Sequence, residues 1–515
     1  MGDRSARAVT NVGISFLNNL IGLVSSVLIS ILTARFLGPR NLGVYSLIGW
    51  LTGISNLFVN LGIAFGVTKH VAELDGKNDR GMIGAFLNWA LIFKISASCL
   101  ITTLLIIFSS TIAGFFGHPE ARNLFIVSFI ALIPGGITGV LGAAIVGLQI
   151  YRYSLKMNLV FVPLTLLASV YVLWRGYGVI GLLLVTLVVS TLRMIAVFGV
   201  AAREKLLTKD LRLPEDFRKK AFRFNIGVTF MSFLDAVVWE RSEVFFLGKF
   251  RPIQEVGFYS LAYSFTSMTV SFLPSAISGV LLPLQSQAFG ENNFERMKKV
   301  YHKSVKYISM LSFPVVAGGI VLAEPIIRII YGPQYVPATA AMGLLFLSSA
   351  GARVGASLAH VMYGAGLVGV KVKFAIAYAI LNLGLDLLLI PSHGVWGAAI
   401  ANSSTQILGV IIGPFVIRHY FKFDFPLATV IRIAMAAGVM GGAVFLMKTL
   451  IAIQSIPMLL LVVVIGAVFY AVCTLAFGVL DPEDIQLMKS VYDRLPPMLK
   501  GRYVAVLYRL ENYVK

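Results

Sequence analysis

Charge is scarce in this sequence. Only 13% of its 515 residues are Asp, Glu, Lys or Arg, and the acids number 23. A soluble domain carries roughly twice that share of charge, so a water-exposed globule is excluded. Cysteine is almost missing: Cys99 and Cys473 are the whole complement. Both fall in apolar runs and are expected to be buried as small hydrophobes, which leaves no disulfide framework and no cysteine metal site. Also missing are a GxxxxGK[ST] phosphate loop, an HExxH pair and an acidic cluster in a long loop. Without these, neither an ATPase nor a metal- or nucleotide-sugar-dependent membrane enzyme is indicated, and no resident cofactor or metal is expected.

Hydrophobic length is what the chain has. Hydrophobic residues make up 58% of it, and the mean hydropathy is +0.86. Runs able to cross a hydrocarbon core of about 30 Å recur at 10–34, 44–68, 84–109, 123–147, 157–174, 179–201, 224–248, 256–283, 307–323, 339–363, 374–391, 395–417, 427–447 and 455–479. A transmembrane β-barrel would alternate apolar and polar residues, and runs such as LLLVTLVVS do not. Helices then satisfy the backbone in lipid, and the expected fold is an all-α integral membrane protein of about fourteen transmembrane helices. The first run is too long for a signal-peptide core and has no small-residue cleavage site behind it, so it is expected to be retained.

The net charge of +20 raises the question of nucleic acid, and its distribution answers it. With fourteen spans, 30 of the 43 Lys and Arg fall in alternate loops and both termini, and 8 in the intervening loops. This positive-inside bias predicts a multi-pass protein of the cell membrane with both termini cytoplasmic. Anionic inner-leaflet lipid, rather than nucleic acid, is the implied partner of the basic segments.

Four pairs of segments match at nearly constant separation, the mark of an internal duplication. RFLGPRNLGVYSL, with Gly43, Tyr45, Ser46 and Leu47, is answered by KFRPIQEVGFYSL, with Gly257, Tyr259, Ser260 and Leu261. Phe116-Gly117 is answered by Tyr331-Gly332, Gly147 and Lys156 by Gly364 and Lys373, and Gly178-Val179-Ile180-Gly181 by Gly394-Val395-Trp396-Gly397. Each copy holds six helices, so both enter the membrane from one side and are expected to form pseudo-two-fold-related lobes with a cavity between them. The organisation read from this is an N-terminal lobe at 1–201, a basic cytoplasmic linker at 202–223, a second lobe at 224–417, two additional helices at 418–480 and an amphipathic tail at 481–515. In that tail Ile485, Met488 and Tyr492 have helical spacing ahead of Pro496-Pro497, which suggests a segment resting on the membrane face.

The strings ARFLGPRNLGVYSL, LGKFRPIQEVGFYSLA and AEPIIRIIYGPQY resemble the polysaccharide transporter family, the Wzx-like flippases of lipid-linked oligosaccharides. That family shares a superfamily with the multidrug and toxin extruders and the lipid II flippase. The resemblance implies alternating-access transport of a polyprenyl-phosphate-type sugar lipid between leaflets for surface glycan synthesis. It also implies a glycan polymerase or glycosyltransferases as possible partners.

Charges at membrane depth are the informative residues, because each costs about 2.5–3.5 kcal/mol to insert. Lys94 and Arg193 lie within the first six spans, which contain no acid; such a wall could bind a phosphate headgroup, or the bases could snorkel or pair with the other lobe. Arg353 and Asp386 in the second copy could form an ion pair or line the pathway. Arg35 and Arg40, with Lys249 and Arg251, occupy equivalent outer helix ends and either receive the headgroup or flank the helices. Asn18, Asn19, Asn56 and Asn60 give the first two spans a polar face for sugar hydroxyls or for interhelical amide bonds. Asp235, Glu240 and Glu243 lie in the seventh span; the last two share a helix face and could hold Na⁺ or a proton, or could pair with Arg241. The alternatives are a cation-coupled multidrug-type extruder, which commonly uses a carboxylate in the first helix, and a lipid II-type flippase, expected to carry several Arg and an Asp around its cavity. The first helix here has neither feature.

Overall fold

The computed structural model describes residues 2–60, 62–208, 213–239, 242–484, 486 and 489. Among them every regular element is helical, and ten stretches are long and apolar enough to cross a membrane. Two of these, Leu20–Asn60 with 41 residues and Gly369–Phe421 with 53, far exceed the roughly 20 residues that one crossing needs. Each is bent at a glycine that leaves helical geometry: Gly38 (φ 71°, ψ 173°), followed by Pro39, and Gly394 (φ 56°, ψ −131°). Proline has no N–H for the preceding turn and glycine alone adopts positive φ without cost, so both bends are written locally. They fall between predicted spans.

The chain divides into two compact units. The first comprises Met1–Phe265 and Val372–Asn402, the second Thr266–Lys371 and Ser403–Lys515. The helices are α1 (Gly2–Asn60), α2 (Ile63–Gly76), α3 (Arg80–Ile107), α4 (Ser109–Phe115), α5 (Arg122–Ile130), α6 (Leu132–Gly147), α7 (Tyr151–Trp174), α8 (Gly178–Arg203), α9 (Glu215–Trp239), α10 (Ser242–Phe250), α11 (Ile253–Gly290), α12 (Phe294–Ile326), α13 (Thr339–Gly364), α14 (Val368–Phe421), α15 (Leu427–Leu450) and α16 (Ile456–Ala476). α11 and α14 run through both units. The linker residues 209–212, and the tail positions Ile485, Met488 and Tyr492, lie outside the described residues. Both cysteines are free; Cys473 is buried as expected, but Cys99 lies exposed on α3, where an apolar surface needs no cover from protein.

In the first unit, α2, α3, α6 and α8 enclose one apolar core around Val67, Phe86, Leu87, Val140 and Ala144, and α5 and α8 contribute to a second around Ile48, Phe125 and Phe129. Large aliphatic and aromatic side chains on the outside, such as Trp174 at 71% and Leu388 at 72% exposure, suit hydrocarbon rather than water.

The repeated glycines behave alike in pairs. A Cβ on Gly43 would lie 1.9 Å from the Ile253 carbonyl oxygen, and one on Gly257 would lie 2.4 Å from that of Pro39. The two copies of the motif therefore cross backbone to backbone in the first unit, a contact that only hydrogen in place of a side chain permits. Gly117 and Gly332 both take positive φ (74° and 110°), as do Gly178 and Gly394 (57° and 56°). Gly147 and Gly364 each face another helix too closely for a Cβ, at 2.8 Å from Thr68 O and 2.7 Å from Gln285 Cβ. Glu255, in the second motif, accepts the Val395 N–H at 2.8 Å and a bond from Arg251 Nε at 3.1 Å, capping the half of α14 that starts after Gly394.

The second unit is pinned by an ionic clamp. Lys306 of α12 donates to Asp481 at 2.8 Å and to Asp484 beyond α16, Lys303 donates to Asp481 at 3.2 Å, and Tyr307 donates to Asp484 at 2.6 Å. Burial raises the carboxyls of Asp481 and Asp484, but the lysine and backbone N–H donors outweigh it and hold both below their ordinary value of 3.8.

Gly43→Ala and Gly257→Ala should each destabilise the purified protein by about 1–3 kcal/mol or more. Gly49→Ala, on the same α1 but with open space at its Cβ, should be near neutral; equal melting temperatures for Gly43→Ala and Gly49→Ala would refute the close crossing. For the clamp, depressed folded-state values mean stability that is present above 3.8 and lost as pH falls through the folded values. Thermal melts should therefore fall steeply on acidification below that point, and Lys306→Met should cost about 3 kcal/mol near neutrality while flattening the acid limb.

Candidate transport and coupling site

Glu243 sits near the start of α10 in the first unit and is 1% exposed. Opposite it, α14 brings Asn382 and Asp386 to one face by their four-residue spacing, and Asn402 from its second half. Asn402 Nδ2 donates to Glu243 Oε1 at 2.8 Å, and Ser242 Oγ donates to Asp386 Oδ2 at 2.7 Å. Asn382 Nδ2 lies 2.9 Å from Ser242 Oγ, 3.1 Å from Asp386 Oδ2 and 3.5 Å from Glu243 Oε1, so one amide bridges both carboxyls. The Tyr259 hydroxyl, on α11, faces Glu243 from the repeated motif. All six residues are buried.

Asp386 Oδ1 and Asn382 Oδ1 are buried and accept no hydrogen bond among the described residues. No Lys or Arg stands among the described partners of either carboxyl. Two carboxylates in one low-dielectric network cannot both remain charged without a counter-charge. A proton shared between them, or a small cation held by carboxylate and amide oxygens, is the chemistry this arrangement can support.

Of the predicted coupling group, Glu243 is in this cluster. Glu240, and Arg241 beside it, lie outside the described residues, as does the side chain of Asp235. Asp386, read as a possible partner of Arg353, instead bonds to Ser242 and Asn382. Arg353 lies partly buried on α13 of the second unit. The sequence reading missed Ser242, Tyr259, Asn382 and Asn402. The available signal was Asn382 one turn before Asp386 in an otherwise apolar run.

The predicted anion-binding bases occupy different environments. Lys94, on α3, is fully buried and donates to the Val59 carbonyl oxygen at 3.1 Å and to Asn60 Oδ1 at 2.5 Å. Its charge therefore meets the C-terminal end of α1, where chain direction changes at Gly62 (φ 66°) and carbonyl groups lack helical partners. Arg193, on α8, donates to Asn158 Oδ1 at 2.8 Å, and Asn158 Nδ2 donates to Asn18 Oδ1 at 3.1 Å. That polar chain joins α1, α7 and α8, and Asn158 was not anticipated. The Arg193 Nε–H is buried without an acceptor among the described residues.

Asn56 is half-buried one turn before Asn60 on α1, while the side chain of Asn19 lies outside the described residues. Arg35 is exposed just before the Gly38 bend. Lys249 is also exposed, donates to the Phe115 carbonyl oxygen at 2.8 Å and lies 4.0 Å above the Phe115 ring. The structure thus joins Lys94 with Asn60 and Arg193 with Asn18, and it does not join these two groups by any described hydrogen bond.

Comparison with known proteins places these features. The family model described as polysaccharide biosynthesis protein matches residues 32–340. The probable low-salt glycan biosynthesis flippase Agl15 of Haloferax volcanii is 24% identical over 478 residues, covering 90% of this chain and 94% of that protein. The succinoglycan biosynthesis transport protein ExoT of Rhizobium meliloti is 25% identical over 246 residues, 47% of this chain and 48% of its own. Among solved structures, the lipid II flippase MurJ in an inward closed conformation superposes with a TM-score of 0.72 at 16% identity, over 91% of this chain and 98% of that one. An inward-facing multidrug resistance transporter of the MATE family gives a TM-score of 0.64 at 16% identity over 77% and 94%. The fold is the one these transporters share, and by the match across 32–340 the chain belongs to the polysaccharide biosynthesis protein family, the Wzx-like group of membrane transporters that its repeated motifs resemble.

Proposed function

We propose that the protein is a flippase that moves a lipid-linked oligosaccharide of the polyprenyl-phosphate type across the cell membrane by alternating access, for surface glycan synthesis. Family membership supports this, and one relative named as a probable glycan biosynthesis flippase matches over 90% of the chain. The observation that carries the headgroup assignment is Arg193. It is a guanidinium within an apolar span, held by an amide rather than a carboxylate, and it retains a buried N–H without an acceptor among the described residues. A phosphate oxygen is the natural complement of such a fork.

In this reading, Asn18 and Asn158 position Arg193 and offer amides to sugar hydroxyls. Lys94 and Asn60 hold the broken end of α1 together until substrate displaces the amide, and Asn56 lies one turn away. Arg35 and Lys249 receive the headgroup at the outer surface. The Glu243–Asp386 cluster supplies coupling to Na⁺ or H⁺. The architecture we infer is fourteen spans, two pseudo-symmetric six-helix lobes and two further helices, with both termini cytoplasmic; duplicated glycine geometry and the alternation of basic loops support it.

Reconstitution into liposomes with a defined lipid-linked oligosaccharide tests this. Arg193→Gln should slow flipping about tenfold or more, and a failure of the wild-type protein to move the substrate on any of several polyprenyl-phosphate carriers would sink the proposal. The double variant Glu243→Gln with Asp386→Asn should lose its response to Na⁺ and pH gradients. Unchanged gradient dependence would remove the coupling role while leaving the flippase assignment standing.

A further inference from the structure

A cleft of about 720 Å³ opens in the second unit, apart from the cluster at Glu243. It lies where α12 and α15 begin and α16 ends, and its floor is the clamp of Lys303, Lys306 and Asp481. Its walls are basic: five Lys and Arg line it against three carboxylates. The clamp already pairs Lys303 and Lys306, and Glu483 pairs with Lys299 at 2.9 Å. Lys298 and Arg432 are the bases left over, against the one carboxylate, Glu295, that has no described ion pair. Lys298 makes no ion pair or hydrogen bond among the described residues, and Arg432 uses one N–H on the Gly478 carbonyl oxygen at 3.3 Å. His302 on the same wall is fixed to the Asp424 carbonyl oxygen at 2.7 Å.

The cleft lies at the ends of three helices long and apolar enough to cross a membrane, and α15, which supplies Thr429 and Arg432 to it, exposes Leu427, Ile431 and Met435 at four-residue spacing. A phosphate bound between Lys298 and Arg432 would thus adjoin an aliphatic stripe suited to its chains. The loops concerned, 284–306 and 418–426, are among those that the positive-inside bias assigns to the cytoplasm, where anionic lipid is concentrated.

We infer that this cleft is a binding site for the phosphate headgroup of an anionic membrane phospholipid, separate from the transported lipid. Lys298 and Arg432 supply its charge, and Thr429 supplies a hydroxyl. The clamp beneath keeps the three helix ends at fixed separation, so the bound lipid secures α15 and α16 to α12.

The test uses the full chain, purified in neutral detergent and titrated with phosphatidylglycerol or with phosphatidylcholine, with bound lipid counted by native mass spectrometry and the melting temperature followed in parallel. Phosphatidylglycerol should be retained and should raise the melting temperature, whereas phosphatidylcholine should do so weakly. Lys298→Ala with Arg432→Ala should weaken phosphatidylglycerol retention about thirtyfold, as the loss of two surface bases implies. Arg432→Lys alone should stay within a few-fold of wild type, and Lys77→Ala, an exposed base on the first unit, should change nothing. Equal retention by wild type and the double variant overturns the site. An equal stabilisation by soluble glycerol phosphate overturns the lipid as its occupant and assigns the cleft to a soluble phosphate.

Discussion

Two strands of backbone meet where the repeated motifs cross, with Gly43 against Ile253 and Gly257 against Pro39. Lipid gives helices no hydrophobic reason to associate, so close packing and backbone proximity have to supply it. At this crossing even a methyl group is too large. The surrounding features depend on that approach: Gly248 packs against Leu47 and Phe116, Lys249 reaches the Phe115 carbonyl, and Glu255 caps the helix that follows Gly394. One small-residue contact thereby gathers segments of both sequence copies within the first unit, next to the Gly394 bend where Glu255 caps the second half of α14, the half that carries Asn402 to Glu243.

Charges buried in apolar spans are handled in two ways. Lys94 and Arg193 rest on carbonyl and amide oxygens, which spread a positive charge without neutralising it. Glu243 and Asp386 share neutral donors from Ser242, Asn382 and Asn402, with oxygens to spare. Neither arrangement is the ion pair that would be the cheapest resting state for such groups. Charge left uncompensated at membrane depth is costly, and it suits groups that meet a charged visitor. The clamp of the second unit is the contrast: Lys303 and Lys306 balance Asp481 and Asp484, and their role is to hold helix ends.

The sequence by itself determined that the protein is helical, spans a membrane many times and carries a duplicated glycine pattern, because hydropathy, helix breaking at Gly38-Pro39 and positive φ at glycine are local properties. It also marked out the buried charges, since a Lys or Asp in an apolar run is visible without any fold. Only the tertiary structure decided their company. Asn158 reaches Arg193 across 35 positions, and Asn402 reaches Glu243 across 159, separations that no periodicity reports. Asp386 could be read as a partner for Arg353 because opposite charge was the only rule available from one dimension. Its actual neighbours are Asn382, one turn away on α14, and Ser242, which only the packing of α10 on α14 brings to it, and that long-range contact turns two isolated acids into one site.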